Sequence, residues 1–246
     1  MIHMKKNVLA ILLLFAVFAI FAIPAAAEDS QTDKVILVSG YGVSTTTPDK
    51  VTISFGVETE NPDAKIAQSE NAALMEKVAA ALKNAGIKDA NIQTTGYNIY
   101  SYVIGEYNPG KWANGTTVYK VTNTVQVISY DVDQAGSYID AAVSAGANNV
   151  NSLQFGLSDE KLIIERNAAI ISAVKSARAD ADSVSSALGL KISGTGTINV
   201  GQNYTPVSYT NMDVISYVKA EASGARTTIE SGEIKTTATV SIVYTY

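Results

Sequence analysis

The sequence predicts an α+β fold, with an antiparallel or mixed sheet of about seven strands, three helices packed on it and a long projecting β-hairpin. Three observations support this prediction. Seven segments have extended character, most of them alternating apolar and polar residues as strands with one buried face do. Three further segments repeat apolar residues at helical spacing and stop at a glycine. Strong turn residues separate two of the longest extended segments.

The first two strands are predicted at residues 35–44 and 50–58, joined as a hairpin by the turn Thr47-Pro48-Asp49. In the second strand apolar residues alternate with polar ones, so one of its faces should be buried. The residues predicted on that face are Val51, Ile53, Phe55 and Val57.

Three helices follow from apolar spacing and from their end signals. The first should open at Asn61-Pro62, because Asn suits an N-cap and Pro suits the first turn, and it should end at Gly86. The second covers 133–145, and the third runs from its cap Ser158 to Leu188. The predicted buried stripe of the third helix is Leu162, Ile163, Ile170, Ile171, Val174, Ala177, Ala181, Val184 and Leu188.

Two long extended segments, 91–104 and 117–130, predict a projecting antiparallel hairpin, because the connector between them carries Asn-Pro-Gly and Asn-Gly turn signals. A polar stretch without a clear period lies near the C-terminus, and residues 202–223 within it are predicted to be a flexible loop. The remaining strands are predicted at 150–157, 191–200 and 233–246.

The N-terminus has the features of an export signal. A basic start is followed by an apolar run and by small residues, which predicts a signal peptide over 1–27 that is cleaved after Ala27. The alternative is an uncleaved anchor, but the apolar run is shorter than the roughly 20 residues that span a bilayer. Residues 28–246 then form a single domain, and we expect a periplasmic, extracellular or cell-surface location.

The residue complement excludes several classes of function. The chain has no cysteine, and its one histidine, His3, lies within the predicted signal peptide. Thiol nucleophiles, most hydrolytic triads and most zinc sites therefore cannot be built in the exported part. Without Lys5 and Lys6, 16 of the 18 basic residues remain against 23 acidic ones, which disfavours nucleic acid as a partner. We expect no catalytic residue, no metal and no cofactor.

Three motifs have simple structural interpretations. The glycines Gly40 and Gly42 lack the strand–turn–helix context of a dinucleotide loop, and they more simply permit a bulge or a close backbone approach. Asp131 and Asp133 suit the start of a helix better than a calcium loop. The pair Glu58 and Glu60 could act as a general acid and base, so a carboxylate-dependent hydrolase stays open as an alternative.

Aromatic residues concentrate on the predicted hairpin. Two interpretations stay open: ordinary pairing across the two strands, or a subunit contact or ligand surface, since Tyr and Trp bury area while keeping a polar group. In addition, Asn114 and Asn203 match the N-glycosylation acceptor pattern. The candidate interface or ligand surface consists of Tyr97, Tyr100, Tyr102, Tyr107, Trp112 and Tyr119.

Ten short segments, taken in order, resemble the SIMPL domain family of exported proteins, which includes periplasmic or outer-membrane-associated immunogens. They are VSGYGV at 38–43, PD at 48–49, ISFGV at 53–57, IQT at 92–94, NTV at 123–125, DVD at 131–133, AGAN at 145–148, FGLS at 155–158, AR at 177–178 and IESG at 229–232. The resemblance implies an α+β fold with helices on antiparallel sheet, large ring-like or channel-like homo-oligomers in some members, and links to oxidative stress. It brings no catalytic residue with it.

The sequence as a whole predicts a non-enzymatic cell-envelope protein that acts as a homo-oligomeric scaffold or channel-like assembly, with peripheral envelope association and a possible part in envelope or oxidative stress protection. The first alternative is a module that binds an envelope carbohydrate or peptide. The second is the carboxylate-dependent hydrolase.

Overall fold

The computed structural model describes residues 34–105, 111–201, 207–209 and 227–246. Within these ranges the chain forms three helices and two four-stranded antiparallel sheets, which confirms the α+β class. The predicted signal peptide lies outside the described residues, as does most of the loop 202–223. The helices are α1 (Ala64–Asn84), α2 (Ala135–Ala145) and α3 (Asp159–Ala187); the strands are β1 (Val35–Thr46), β2 (Lys50–Asn61), β3 (Ile92–Val103), β4 (Thr117–Ser129), β5 (Asn149–Gly156), β6 (Gly194–Val200), β7 (Val207–Tyr209) and β8 (Glu233–Thr245).

The strands divide between a first sheet, of order β1-β8-β6 with β7 also paired to β8, and a second sheet, of order β3-β4-β2-β5. Seven of them have seven residues or more, in agreement with the predicted number. The predicted hairpin of the first two strands is wrong, because β1 pairs with β8 while β2 pairs with β4 and β5. Residues 47–49 therefore carry the chain from one sheet to the other.

Asp49 fixes this crossing point. Its carboxylate accepts hydrogen bonds from the Ser158 backbone N–H at 2.7 Å and from the Ser158 hydroxyl at 2.6 Å. Burial alone raises the pKa of the Asp49 carboxyl, but the bonds from Ser158 and the charge of Lys161 outweigh it and hold the pKa below its ordinary value. Because Ser158 also caps α3, Asp49 ties the start of this helix to the second sheet.

Replacing Asp49 with asparagine is expected to lower the free energy of unfolding by about 1–2 kcal/mol at neutral pH, because charge-assisted hydrogen bonds become neutral ones. A depressed folded-state pKa stabilises the protein above the unfolded pKa of about 3.9 and stops doing so as the pH falls through the folded value. The difference between wild type and D49N in urea unfolding should therefore shrink as the pH falls from 7 to 3. D182N, at an exposed Asp182–Arg178 pair, is the control and should change stability by less than about 0.5 kcal/mol.

The core of the second sheet lies between its strands and the helices α1 and α2. The predicted buried face of β2 is confirmed, and all four of its residues are fully buried. Helix α1 adds Val78 and Leu82, and α2 adds Tyr138 and Ala142. These side chains repeat every three or four positions along each helix, as required for one face to lie on a sheet.

The core of the first sheet is formed by α3 lying along β1 and β8. The predicted stripe of α3 is confirmed at Ala177 and Ala181, which are fully buried, and at Ile170, which packs against the same core. It is wrong at several large residues: Ile163 and Ile171 are more than half exposed, and Leu188 is 66% exposed. The face that meets the sheet consists of small residues four positions apart. They are Ala169, Ala173, Ala177, Ala181 and Ser185.

Two glycines of β1 explain why this stripe is small. A Cβ atom at Gly40 would lie 1.9 Å from the Ala173 carbonyl oxygen, and one at Gly42 would lie 2.1 Å from the Ala169 carbonyl oxygen. The helix backbone thus rests directly on the strand backbone, so only alanine-sized side chains fit between them. The interpretation of these glycines as a close backbone approach is confirmed.

The helix ends agree with the sequence with two exceptions. Ser158 caps α3 as predicted, accepting a hydrogen bond from the Lys161 backbone N–H. Helix α1 is capped by Asp63 in place of the predicted Asn61, whose Oδ1 accepts a hydrogen bond from the Asp63 N–H. The start of α2 has no side-chain cap, so the capping role expected of Asp131 and Asp133 is not present. Among the described helices, none has the length and apolar character needed to cross a membrane.

Candidate functional site

The hairpin of β3 and β4 carries most of the candidate residues. The two strands pair from Ile92 with Val127 to Val103 with Thr117, with one irregularity between Thr94 and Gly96. This confirms the predicted long hairpin, but β4 also pairs with β2 from Tyr119 to Ser129, so the hairpin is part of the second sheet and does not project from it. The β4 strand buries Val118, Val121, Val125 and Val127, whereas no residue of β3 is buried. β3 is therefore an edge strand that exposes both of its faces.

The register divides the candidate aromatic residues between the two faces of the second sheet. Tyr100 lies opposite Lys120, and Tyr102 lies opposite Val118, on the face turned away from α1. Tyr119 alternates with Lys120 and lies on the same face as Val121, together with Tyr97.

Within the described residues, the aromatic contact in this group is that between Tyr100 and Tyr102, whose ring centroids are 6.5 Å apart. Trp112 is half-buried, with the Lys111 ammonium 5.2 Å from the centroid of its ring. Tyr107 and Asn203 lie outside the described residues, while Asn114 is exposed. The group is therefore two surfaces, and the one on the outer face is built around Tyr100 and Tyr102.

Three charged side chains adjoin these two tyrosines on the outer face. Lys120 forms an ion pair with Glu58, and its Nζ lies 3.6 Å from an Oε atom of Glu60. Glu60 lies directly opposite Lys120 on β2, and Lys120 lies directly opposite Tyr100 on β4. Tyr100, Lys120 and Glu60 thus form one row across three strands.

The electrostatics follow from this arrangement. The hydrogen bond to Glu58 raises the pKa of the Lys120 ammonium above its ordinary value, against the opposing effect of desolvation. Burial and the negative charge of Glu60 raise the pKa of the Tyr102 phenol. Lys120 is therefore protonated and Tyr102 neutral at physiological pH, so this part of the outer face presents the phenol of Tyr102 and the ammonium of Lys120 beside the side chains of Glu58 and Glu60.

This arrangement gives little support to acid–base catalysis. Both carboxylates share the ammonium of Lys120, and both side chains are about one-third exposed on an open sheet face (33% and 32%). A general acid needs an apolar pocket that keeps one carboxyl protonated near neutral pH. In the described ranges there is also no group of three or more Asp, Glu, His or Cys side chains placed to hold a metal ion.

Asn148 is a residue of this region that the sequence reasoning did not single out. Its Oδ1 accepts a hydrogen bond from the Glu58 N–H at 2.9 Å, and its Nδ2 donates one to the Glu58 carbonyl at 2.7 Å. The side-chain amide therefore pairs with the β2 backbone as a neighbouring strand residue would, and it holds Glu58 in place. Its only sequence signal was its position after the helix-ending glycine of the AGAN segment.

Replacing Asn148 with aspartate is expected to lower the free energy of unfolding by about 1–3 kcal/mol, because the donor to the Glu58 carbonyl is lost and a second negative charge is placed beside it. Thermal unfolding followed by circular dichroism measures this. The exposed neighbour Asn151 provides the control, and N151D should leave the melting temperature within about 2 °C of wild type. Equal effects of the two substitutions would contradict a positioning role for Asn148.

Comparison with known proteins covers the described fold almost from end to end. The family model SIMPL, described as a protein of unknown function, matches residues 36–244, from β1 to β8. The 26 kDa periplasmic immunogenic protein of Brucella melitensis biotype 1 is 29% identical over 173 residues, covering 68% of this chain and 69% of that protein. The protein of the same name from Brucella abortus (strain S19) is 28% identical over the same length. The uncharacterized protein YggE of Edwardsiella ictaluri is 27% identical over 226 residues, covering 91% and 92% of the two chains.

Proposed function

The chain belongs to the SIMPL family, and from that membership we propose that it is an exported, non-enzymatic cell-envelope protein that works as a homo-oligomeric scaffold or channel-like assembly. An exported location is supported by the predicted signal peptide and by the periplasmic designation of two relatives. The resemblance of the sequence to stress-linked family members suggests protection of the envelope as the physiological role.

The single observation that carries the assembly proposal is the exposure of β3. The apolar and aromatic side chains of this strand face solvent: Tyr97 is 50% exposed, Tyr100 46% and Val103 61%. Exposed apolar surface that is contiguous commonly marks a site of protein–protein contact. Tyrosine is also favoured at such contacts, because it buries a large area while its hydroxyl stays satisfied.

The non-enzymatic part of the proposal rests on the residue complement. The chain after its predicted signal peptide lacks both histidine and cysteine, and its best-placed carboxylates, Glu58 and Glu60, are already paired with Lys120. Without further reactive groups, such a surface can bind a partner or a ligand.

Sedimentation velocity of purified residues 28–246 tests the assembly. We expect a species larger than a monomer at micromolar concentration. It should dissociate on dilution, and the interface substitutions described below should weaken it. A single monomeric species across that concentration range would contradict the homo-oligomer.

A second candidate is a module that binds an envelope carbohydrate or peptide, and the outer-face row is the observation that favours it. Tyr100 offers a ring face, and Glu60 and Lys120 offer hydrogen-bonding charges beside it. Thermal-shift screening against peptidoglycan fragments and envelope peptides measures such binding, since a ligand of the folded state raises the melting temperature. A hit that is lost in Y100A but kept in the exposed-residue control N151D would assign the ligand to this row.

A further inference from the structure

We infer that the free edge of β3 pairs in antiparallel fashion with β3 of a second copy, so that two second sheets join into one continuous eight-stranded sheet. This inference rests on the proposed homo-oligomer and names the surface by which it forms. The chemistry of β3 itself identifies the partner as a second copy of this chain.

The edge of β3 carries little of the usual protection against strand pairing. The strand Ile92–Val103 is 12 residues long and contains no Lys, Arg, Asp, Glu or Pro. Edge strands of monomeric proteins are usually short, charged, interrupted by proline or covered, because their unpaired N–H and C=O groups bind other strands. The one protective device in β3 is the irregularity at Thr94–Gly96, which leaves residues 97–103 as an unbroken edge.

The strand is also poorly supported within its own chain. β4 is its one strand partner among the described elements, and not one of its residues is buried. A strand added on the open side of β3 would supply the hydrogen bonds and side-chain contacts that this edge strand lacks. The other edge of the second sheet, β5, is shorter at eight residues and buries Phe155.

Charge favours a second copy as the occupant. The chain carries a formal net charge of −5, so most of its surfaces repel a second copy, but a strand without charged residues brings no like charges together when it meets itself. A twofold axis at residue 100 would place Tyr97 opposite Val103 and Ile99 opposite Ser101 of the second copy on one face. On the other face Tyr100 would lie opposite its own counterpart. Such an interface is isologous, the commonest kind in homo-oligomers.

A matched pair of charge substitutions tests which edge is used. Ile99 on β3 and Val150 on β5 are exposed to nearly the same extent, 40% and 39%, and lie at opposite edges of the same sheet. I99K should raise the dissociation constant measured by sedimentation about 100-fold or more, because the two new ammonium groups would be diagonal neighbours on one face, across the twofold axis. V150K should leave it within a few-fold of wild type. An assembly that V150K disrupts would overturn β3–β3 pairing.

Cysteine cross-linking tests the twofold geometry directly, because the chain contains no cysteine of its own. Single substitutions at positions 97–103 should give disulfide-linked dimers with a maximum at the one or two positions nearest the axis, where Cα atoms come within about 7 Å. S186C, on the exposed side of α3, should give none above background. An oligomer that yields no β3 cross-link would overturn the inference.

Hydrogen exchange separates strand pairing from simple packing of side chains. Successive backbone amides of an edge strand point alternately to its neighbour and to its open edge. Every amide of residues 97–103 should be protected in the assembly, whereas alternate amides should exchange fast in the I99K monomer. Persistent alternation in an oligomer would overturn the pairing while leaving the proposed homo-oligomer in place. A monomeric wild type would instead reject both.

Discussion

Replacing Gly42 with alanine is expected to cause a large loss of stability. The new Cβ would lie 2.1 Å from the Ala169 carbonyl oxygen and 2.3 Å from the Ala173 backbone nitrogen. Both are main-chain atoms of α3, so no side-chain rotation relieves the clash and the helix must move away from the sheet. We expect a decrease in the free energy of unfolding of about 3 kcal/mol or more, at the upper end of the range for overpacked cores.

The control for this prediction is G156A. A Cβ at Gly156 meets only the flexible end of Lys50, at 3.5 Å, so urea unfolding of this variant should fall within about 0.5 kcal/mol of wild type. G40A, whose new Cβ would lie 1.9 Å from the Ala173 carbonyl oxygen, should lose stability to a similar extent.

The two glycine substitutions are also expected to be less than additive. A helix that has been displaced from β1 by one new methyl group already makes room for the second, since both contacts involve the same stretch of α3. The double variant G40A/G42A should therefore lose less stability than the two single losses together. Strict additivity would indicate that the helix does not move as a rigid body.

These glycines show how far the sequence could predict the fold. The three helices and the seven longer strands were predictable because alternation and helical spacing are local properties, and the structure places each of them within a few residues of its predicted bounds. The short strand β7 was not, because it lies within the predicted flexible loop 202–223 and forms by pairing with β8. The contact between α3 and β1 was not predictable from local patterns. It requires two glycines that are two positions apart on a strand, Gly40 and Gly42, to meet alanines that are four positions apart on a helix. The prediction instead followed the largest apolar residues of α3, several of which are exposed.

The division of the strands between two sheets and the geometry of the site could not be predicted from the sequence, for a related reason. The turn at Thr47-Pro48-Asp49 has the same local sequence signal whether β1 pairs with β2 or belongs to another sheet. The crossing is accompanied by hydrogen bonds that Asp49 accepts from Ser158, a residue 109 positions away. Likewise, the ion pairs of Lys120 with Glu58 and Glu60 depend on the register of β2 with β4. Register is set by tertiary packing and by the connecting loops, and not by the residues of either strand alone.

The side chain of Asn71 makes a buried polar contact between helix α1 and the second sheet. It is fully buried on α1, and its Nδ2 donates to the Val57 carbonyl at 2.8 Å and to the Val121 carbonyl at 3.2 Å. Its Oδ1 is buried without a hydrogen-bond partner. The amide therefore holds α1 over the junction of β2 and β4, and it does so only as a donor.

Replacing Asn71 with aspartate is accordingly expected to lower the free energy of unfolding by about 3 kcal/mol or more at pH 7, because a buried carboxylate would face two carbonyl oxygens. N71L, which removes the donor but adds no charge, should cost about 1–2 kcal/mol. The exposed helical residue Asn167 supplies the control, and N167D should change stability by less than about 0.5 kcal/mol.

The pH dependence of the stability of N71D separates the effect of the new charge from the effect of the changed side-chain shape. Burial raises the folded-state pKa of an aspartate above its unfolded value of about 3.9. The folded state then favours the protonated form, so the variant loses stability relative to N71L as the pH rises from about 4 towards the raised pKa. Below pH 4 the protonated carboxyl can donate to one of the two carbonyls, and the gap between N71D and N71L should narrow. Urea unfolding of both variants at pH 3.5 and pH 7 measures this gap, and a gap that does not change with pH would show that water reaches position 71 in the folded state.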